Sequence, residues 1–317
     1  MGSSVISANK FKRVSGGNRT TIDGHTLNYR KGQDWYVDAS RSGTGSGKSW
    51  DDAFLTMTEA FAKIGSGDSI YFVGKVNEQL TTPVQVFDVR VIGMGNRPRH
   101  ADSTPAGGNT HAAQWGPPAS GAVSGKATVN VLQQSWYFEN ILFTMESSTA
   151  PGVQLSRNAA SGNSERDASH TAVVGCKFAG AGLAIRFGES GVYTEIVNNA
   201  LIEDNDFFSN TKAISEGATG LQIYAQIVGN RFQLCTNDIV LAASHARIIG
   251  NVMSLAPTSS IKIDGGTGSN QVHGNFLPGT YADGTLYNAG TSDNWNGNYT
   301  GSDAQTASAG VSYGVPD

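Results

Sequence analysis

The sequence predicts an all-β protein, a parallel β-helix with a short capping helix near its N-terminus. Three observations carry this. One phrase, apolar-x-Gly-Asn-x-apolar, recurs as Ile227-Val-Gly-Asn-Arg-Phe232, Ile248-Ile-Gly-Asn-Val-Met253 and Val272-His-Gly-Asn-Phe-Leu277. Degenerate copies stand at Ile202-Glu-Asp-Asn-Asp-Phe207, Val173-Val-Gly-Cys-Lys-Phe178 and Tyr137-Phe-Glu-Asn-Ile-Leu142. The spacing is irregular and mostly in the twenties, which marks a solenoid whose loops vary in length. Short stretches alternating apolar with other residues follow at a near-constant offset, as in Ile185-Arg-Phe187, Ile239-Val-Leu241 and Ile261-Lys-Ile263. Period two means strand. A third strand precedes each Gly-Asn, and no helix intervenes.

The phrase fixes an expected register. Phe178, Phe207, Phe232 and Met253 should stack inside, one per coil. Two residues earlier, Asn205, Asn230, Asn251 and Asn275 should line one corner, with Asn140 as an earlier member and Cys176 in one Asn position. Gly-Asn suits a corner because both residues tolerate positive φ. Asn side chains stacked there can hydrogen-bond along the ladder.

Taken in order, residues 1–33 are polar and carry Lys10, Lys12, Arg13, Arg19, Arg30 and Lys31. They read as a tail, or as an arm that orders on a partner through Arg13 and Arg19. Asp34-Trp-Tyr-Val-Asp38 is a strand. A Gly/Ser loop, Gly43-Thr-Gly-Ser-Gly-Lys-Ser49, leads to a helix over 50–64. Ser49 is its expected N-cap, and Phe54, Met57, Phe61 and Ile64 form its apolar face. The loop is not a phosphate loop. The glycine required five residues before Gly47 is Ser42, and no alternating strand–helix units follow. The helix should instead plug the end of the coil stack, where core and a strand edge would otherwise be open.

Ile70-Tyr-Phe-Val73 begins the sheets. Residues 93–126 are a Gly/Pro-rich excursion holding Trp115, an expected interface anchor. Val129-Asn-Val-Leu132 returns to the stack, and residues 150–169 form a second, polar excursion. The β-helix domain is placed at 34–290, and 291–317 is read as a tail.

The chain has 317 residues, 40 of them Gly, with 15% charged residues and a net charge of −4. The pI is near 5.9. Nothing here advertises a polyanion-binding surface, so nucleic acid is an unexpected partner. There is no long apolar run to span a membrane. The first residues, Met-Gly-Ser-Ser-Val-Ile-Ser, lack an apolar signal core. Cys176 and Cys235 read as small buried thiols rather than a disulfide.

Stacking places equivalent positions of neighbouring repeats side by side. Glycosidases need two carboxylates on one face. Asp204 and Asp206 are the densest acids, but no second pair falls in register with them, so they are candidates only. Lys177, Asp206, Arg231 and Val252 should form an outward ladder of mixed charge. Arg186, Lys212, Arg247 and Lys262 are scattered. The histidines do not cluster, although His245 and His273 fall at adjacent corners. Trp115, Trp136, Tyr193, Tyr224 and Trp295 could stack on sugars. No metal or cofactor is called for.

Tyr36-Val-Asp-Ala, the Gly/Ser loop, Ser49-Trp-Asp-Asp-Ala53, a helix, Gly67-Asp68-Ser-Ile70 and the Gly-Asn-x-Phe repeats together resemble the pectin-lyase-like right-handed parallel β-helix superfamily, over roughly residues 34–290. The opening looks most like β-helix proteins of bacteriophage particles. The resemblance implies the fold. It is compatible with polysaccharide lyases, glycoside hydrolases, tailspikes and non-enzymatic particle proteins, so function must come from a site. With no carboxylate pair in register, the reading is a structural protein of a bacteriophage virion: a capsid decoration, head fibre or non-enzymatic spike. It would be a homotrimer, assembled in the host cytoplasm and docked on another virion protein such as a capsid protein. The alternative is a carbohydrate-active tailspike, or a polysaccharide lyase or hydrolase, acting on bacterial surface glycans.

Overall fold

The computed structural model describes residues 12–13, 20–22, 25–27, 32–95, 113–120, 122–145, 150–156, 167–188, 196–217, 222–241, 245–254, 258–263, 269–277, 287–288 and 293–300. Three short antiparallel strands, Lys12–Arg13, Thr20–Ile22 and His25–Leu27, lie in the N-terminal arm. Arg13 is in the first of them; Arg19 lies outside the described residues.

The rest winds as a parallel β-helix of three sheets. Each coil gives a strand to the first sheet, turns a corner, gives one to the second, and turns again to the third. In one coil these are Leu201–Glu203, Asp206–Phe208 and Lys212–Glu216; in the next, Gln226–Val228, Arg231–Gln233 and Asn237–Leu241. Every pairing between these coils is parallel. Strand Ser69–Asn77 serves two sheets: its start pairs with Arg90–Gly93 and its end with Ala113–Gly116. Gly74, at φ 84°, makes that bend possible.

The interior is a set of side-chain columns. Phe143, Phe178, Phe207 and Phe232 stack face to face, with centroids 4.9, 5.1 and 4.9 Å apart. Met253 and Leu277 continue the column by register and burial. The rings repeat at about the strand spacing, so the ladder itself sets their separation. Val153, Ile185, Ile214, Ile239 and Ile261 form a second column from the third sheet.

One end is plugged by a helix much shorter than the sequence suggests. Trp50–Asp52 is a single 3₁₀ turn, and Ser49 makes no side-chain cap. The α-helix is Met57–Phe61, N-capped by Thr56 in a capping box with Glu59. Glu78 also accepts from the Met57 and Thr58 amides at 2.8 Å each. Met57, Ala60 and Phe61 are buried. Phe61 lies 5.5 Å from Trp136 and 6.1 Å from Trp115, ring to ring. Thr56, with Glu three positions on, outcompetes Ser49 because it satisfies two orphan amide groups at once. The Gly/Ser loop packs on this end: Lys48 Nζ sits 3.7 Å above the Trp35 ring. A side chain at Gly47 would run into the Phe54 ring. Asp68 ties the first coil together, accepting from the Gln33 and Gly65 amides and the Trp35 indole at 2.6, 2.7 and 2.8 Å.

Three boundaries differ from the sequence reading. Residues 93–126 are interrupted by the buried strand Ala113–Gly116. Residues 151–155, read as polar excursion, are the strand Pro151–Leu155, with Val153 and Leu155 inward. The stack also continues past residue 290: Asn294–Asn296 and Tyr299–Thr300 pair with Gln271–His273 and Phe276–Leu277. Trp295-Asn-Gly-Asn298 is one more copy of the repeat phrase.

Candidate functional site

The Gly-Asn corner is the most ordered polar feature. Its two residues have different jobs. The first takes positive φ: Gly175, Asp204, Gly229, Gly250, Gly274 and Gly297 lie between 54° and 65°. The second turns its amide inward. Asn205, Asn230, Asn251 and Asn275 are fully buried, and Asn298 is 1% exposed. From Asn230 onward, each Oδ1 accepts the backbone N–H and the Nδ2–H of the Asn on the preceding coil, at 2.9–3.0 Å. Each Nδ2 also donates to a carbonyl of the preceding coil, as Asn230 does to Ile202 at 2.9 Å. This holds the corner without water.

Asn140 is not in that ladder. Tyr137–Glu139 pairs with Ala172–Val174, so Asn140 falls opposite Gly175 and Ile141 opposite Cys176. Its φ is 58°, and its Nδ2 donates to the Gly93 carbonyl at 2.7 Å. The first copy of the phrase was read one residue out, because Phe143, not Leu142, marks the column. Cys176 does the work of an Asn only in part: its amide donates to Asn205 Oδ1 at 2.9 Å, while its thiol reaches the Phe138 carbonyl at 3.7 Å. Burial pushes that thiol up to about 12, so it is inert as a nucleophile. Cys235 is also buried and free, and burial raises it too.

The two candidate acids are held differently. Asp204 occupies the left-handed corner position, with Gly175 and Gly229 as its neighbours in register. Asp206 lies on the outer side of the second sheet but is covered: it and Lys177 are each 1% exposed. Lys177 Nζ stands 3.7 Å from Asp206 Oδ2, and Arg231 Nε 3.7 Å from Asp206 Oδ1. The outward ladder of mixed charge is therefore a buried ion cluster at Lys177 and Asp206, partly exposed at Arg231. Alternation along the strand gave the direction of these side chains; it could not reveal that the sheet is covered there. The same row then emerges as Val252, Phe276 and Tyr299, which are 45, 47 and 49% exposed.

Among the paired strands of the described residues, no carboxylate stands opposite another. Nor do those residues hold a group of three or more His, Cys, Asp or Glu suited to a metal. Among the described residues no helix is long and apolar enough to cross a membrane. On the third sheet Arg186 donates to Gln154 Oε1, and Lys262 lies in the same row beyond Ser215 and Val240.

The sugar-stacking candidates separate cleanly. Trp115 and Trp136 are fully buried and Trp295 is 1% exposed. Trp115 donates its indole N–H to the Glu78 carbonyl at 3.0 Å, so it is a core residue rather than an interface anchor. Tyr193 lies outside the described residues. Tyr224 is 41% exposed and stacks on His245 of the next coil, centroids 4.7 Å apart. His273 belongs to a different row, opposite Ile249. Beside the Tyr224–His245 pair, Gln226, Arg247 and Gln271 follow one another across the first sheet.

Sequence reasoning set one acid aside, because Asp238 and Asp264 fall at different offsets in neighbouring coils, and gave no sign of its burial. Asp238 is fully buried where the third sheet begins, just past its corner with the second, and burial holds its carboxyl well above the ordinary range.

Neither a protein-family model nor a curated protein matches this chain. Solved structures similar to it include a rhamnogalacturonan lyase, at 13% identity and TM-score 0.47, covering 85% of this chain and 73% of that one. The Dettilon tailspike protein gp208 is similar at 12% identity and TM-score 0.37, over 84% and 66% of the two chains. Tailspike gp49 from Acinetobacter baumannii bacteriophage Fri1, a capsular polysaccharide depolymerase, is similar at 11% identity and TM-score 0.35, over 96% and 66%. Likeness at this level carries no functional argument. The fold rests on the coils themselves: three parallel strands per turn, an aromatic column and an inward Asn ladder make this chain a parallel β-helix.

Proposed function

We propose that this chain is a structural protein of a bacteriophage particle, a decoration, head fibre or non-enzymatic spike, acting as a homotrimer. The observation that carries the reading is the fate of Asp206. The acid best placed for chemistry is enclosed between Lys177 and Arg231, where it links three successive coils. The buried Asn ladder likewise joins coil to coil. With Trp115 in the core, self-association needs another surface. The row Val252, Phe276 and Tyr299 supplies an exposed apolar one. The basic arm 1–33 would then dock on another virion protein, such as a capsid protein.

Sedimentation of the purified chain, alone and with Phe276→Ser, tests the trimer: a monomer at micromolar concentration in both refutes it. Incubation with bacterial capsular polysaccharides tests the absence of catalysis, and any chain shortening would sink that part.

The alternative, a protein that acts on or holds a bacterial surface glycan, is favoured by one feature. Tyr224 and His245 offer an exposed aromatic pair flanked by Gln226 and Arg247, the mix of apolar and polar groups that sugars require. Loss of glycan retention on Tyr224→Ala, with no turnover by the parent chain, would favour binding over hydrolysis.

A further inference from the structure

Where the third sheet begins, just past its corner with the second, small residues recur on successive coils. Gly152, Ala184, Ala213 and Ser260 occupy the position that Asp238 holds in its coil. All of them, Asp238 included, are buried. One carboxyl group thus replaces a methyl or hydroxymethyl group inside a packed column. We propose that Asp238 is a proton-controlled latch: protonated, it fits there as Ala and Ser do, and on losing its proton it loosens the coils around 237–263.

The surroundings supply no counter-charge. From its own coil Asp238 meets the buried thiol Cys235 and the amide Asn237, which is engaged with the Thr211 carbonyl and the Ser259 hydroxyl. The preceding coil offers Ala213, Asn210 and, on the outer row opposite Asn237, Lys212. Asn210 donates to the Gly180 carbonyl at 2.9 Å. The following coil offers Ser259 and Ser260. Asp206, on the other side of the corner, is itself an acid and already faces Lys177 and Arg231. The Ser260 hydroxyl is near enough to favour the ionised form somewhat, but neither carboxyl oxygen makes a hydrogen bond of ordinary geometry. An ionised carboxyl there would be a buried charge without a partner, which folded proteins avoid by staying protonated. Burial is the main cause of the upward shift, in agreement with the geometry.

The sign follows from linkage. In the unfolded chain Asp ionises near pH ~3.9. Above that pH the unfolded state has released a proton that the folded state keeps, so stability falls as pH rises. The fall continues until the pH passes the raised folded value, and then levels off. Each pH unit in this window changes the unfolding constant by about tenfold.

The test is urea unfolding of the full chain from pH 4 to 9, for the parent, Asp238→Ala and Asp238→Asn. Comparing parent with variant cancels the other titrating groups. The unfolding constant of the parent relative to Asp238→Ala should grow about tenfold per pH unit above pH ~4, and Asp238→Asn should remove the same dependence. Hydrogen-exchange protection at Ile239 and Ile261, corrected for intrinsic rate, should fall with pH in the parent and not in the variants. A ratio independent of pH overturns the proposal. Should Asp238→Ala not fold, infrared spectroscopy decides. A protonated-carboxyl stretch at pH 7, lost in Asp238→Asn, supports the latch, and its absence from the parent refutes it.

Discussion

Asn230→Ala tests the Asn ladder at its centre. In the parent, Asn230 Oδ1 accepts from the Asn205 backbone N–H at 3.0 Å and from Asn205 Nδ2 at 2.9 Å. Its Nδ2 donates to the Ile202 carbonyl at 2.9 Å and to Asn251 Oδ1 at 3.0 Å. Alanine removes all four bonds. Asn251 Oδ1 keeps the Asn230 backbone N–H, so the groups that lose a partner are two N–H donors on Asn205 and one carbonyl. All lie in residues without solvent contact. At about 1–3 kcal/mol per orphaned buried group, the two donors alone predict a loss of roughly 2–6 kcal/mol. Asn230→Asp keeps the acceptor but points a second oxygen at the Ile202 carbonyl and Asn251 Oδ1. It should be at least as damaging at neutral pH. Asn298→Ala removes equivalent bonds on the last described coil, where Tyr299 is half exposed. Water can replace some of those bonds there, so its cost should be smaller. Urea unfolding followed by tryptophan fluorescence, with exchange protection at the Asn205 amide, measures all three. A loss below about 1 kcal/mol for Asn230→Ala would refute the view that the ladder carries this corner.

Other substitutions probe neighbouring features. Phe232→Ala should cost about 3–5 kcal/mol by the same unfolding measurement, because the ring is fully buried against Phe207. Asp206→Asn leaves Lys177 buried beside a neutral amide and should lose about 3 kcal/mol or more, whereas Asp204→Asn should stay within about 0.5 kcal/mol. Equal thermal shifts for the two would mean that the Lys177–Asp206 contact has little weight. Cys176→Asn extends the ladder by one coil, placing an amide where the thiol now reaches the Phe138 carbonyl. It should raise stability by about 1 kcal/mol, and a lowered melting temperature would show that the site cannot hold the larger side chain.

The sequence alone determined the architecture, because a solenoid writes its period into the chain. Each coil must present an apolar residue to the same column and turn the same corner. The result is a repeated phrase, Gly-Asn-x-Phe, with alternating strands at fixed offsets. Where a copy was degenerate, register became ambiguous: Tyr137-Phe-Glu-Asn-Ile-Leu142 fits two alignments a residue apart, and only strand pairing chose between them. The capping box Thr56-Met-Thr-Glu59 stands in the sequence, but Ser49 reads as the N-cap, which makes the expected helix too long. Burial was the part the sequence could not supply. Alternation tells which way Asp206 or Lys177 points, not whether another segment lies over it, and Trp115 between Gly and Pro looks equally suited to a core or an interface. Asp238 was legible only as an acid out of register with Asp264, and nothing in the pattern showed that it is buried. Its isolation depends on what the coils above and below place at the same position, and that is a property of stacking that only the tertiary structure decides.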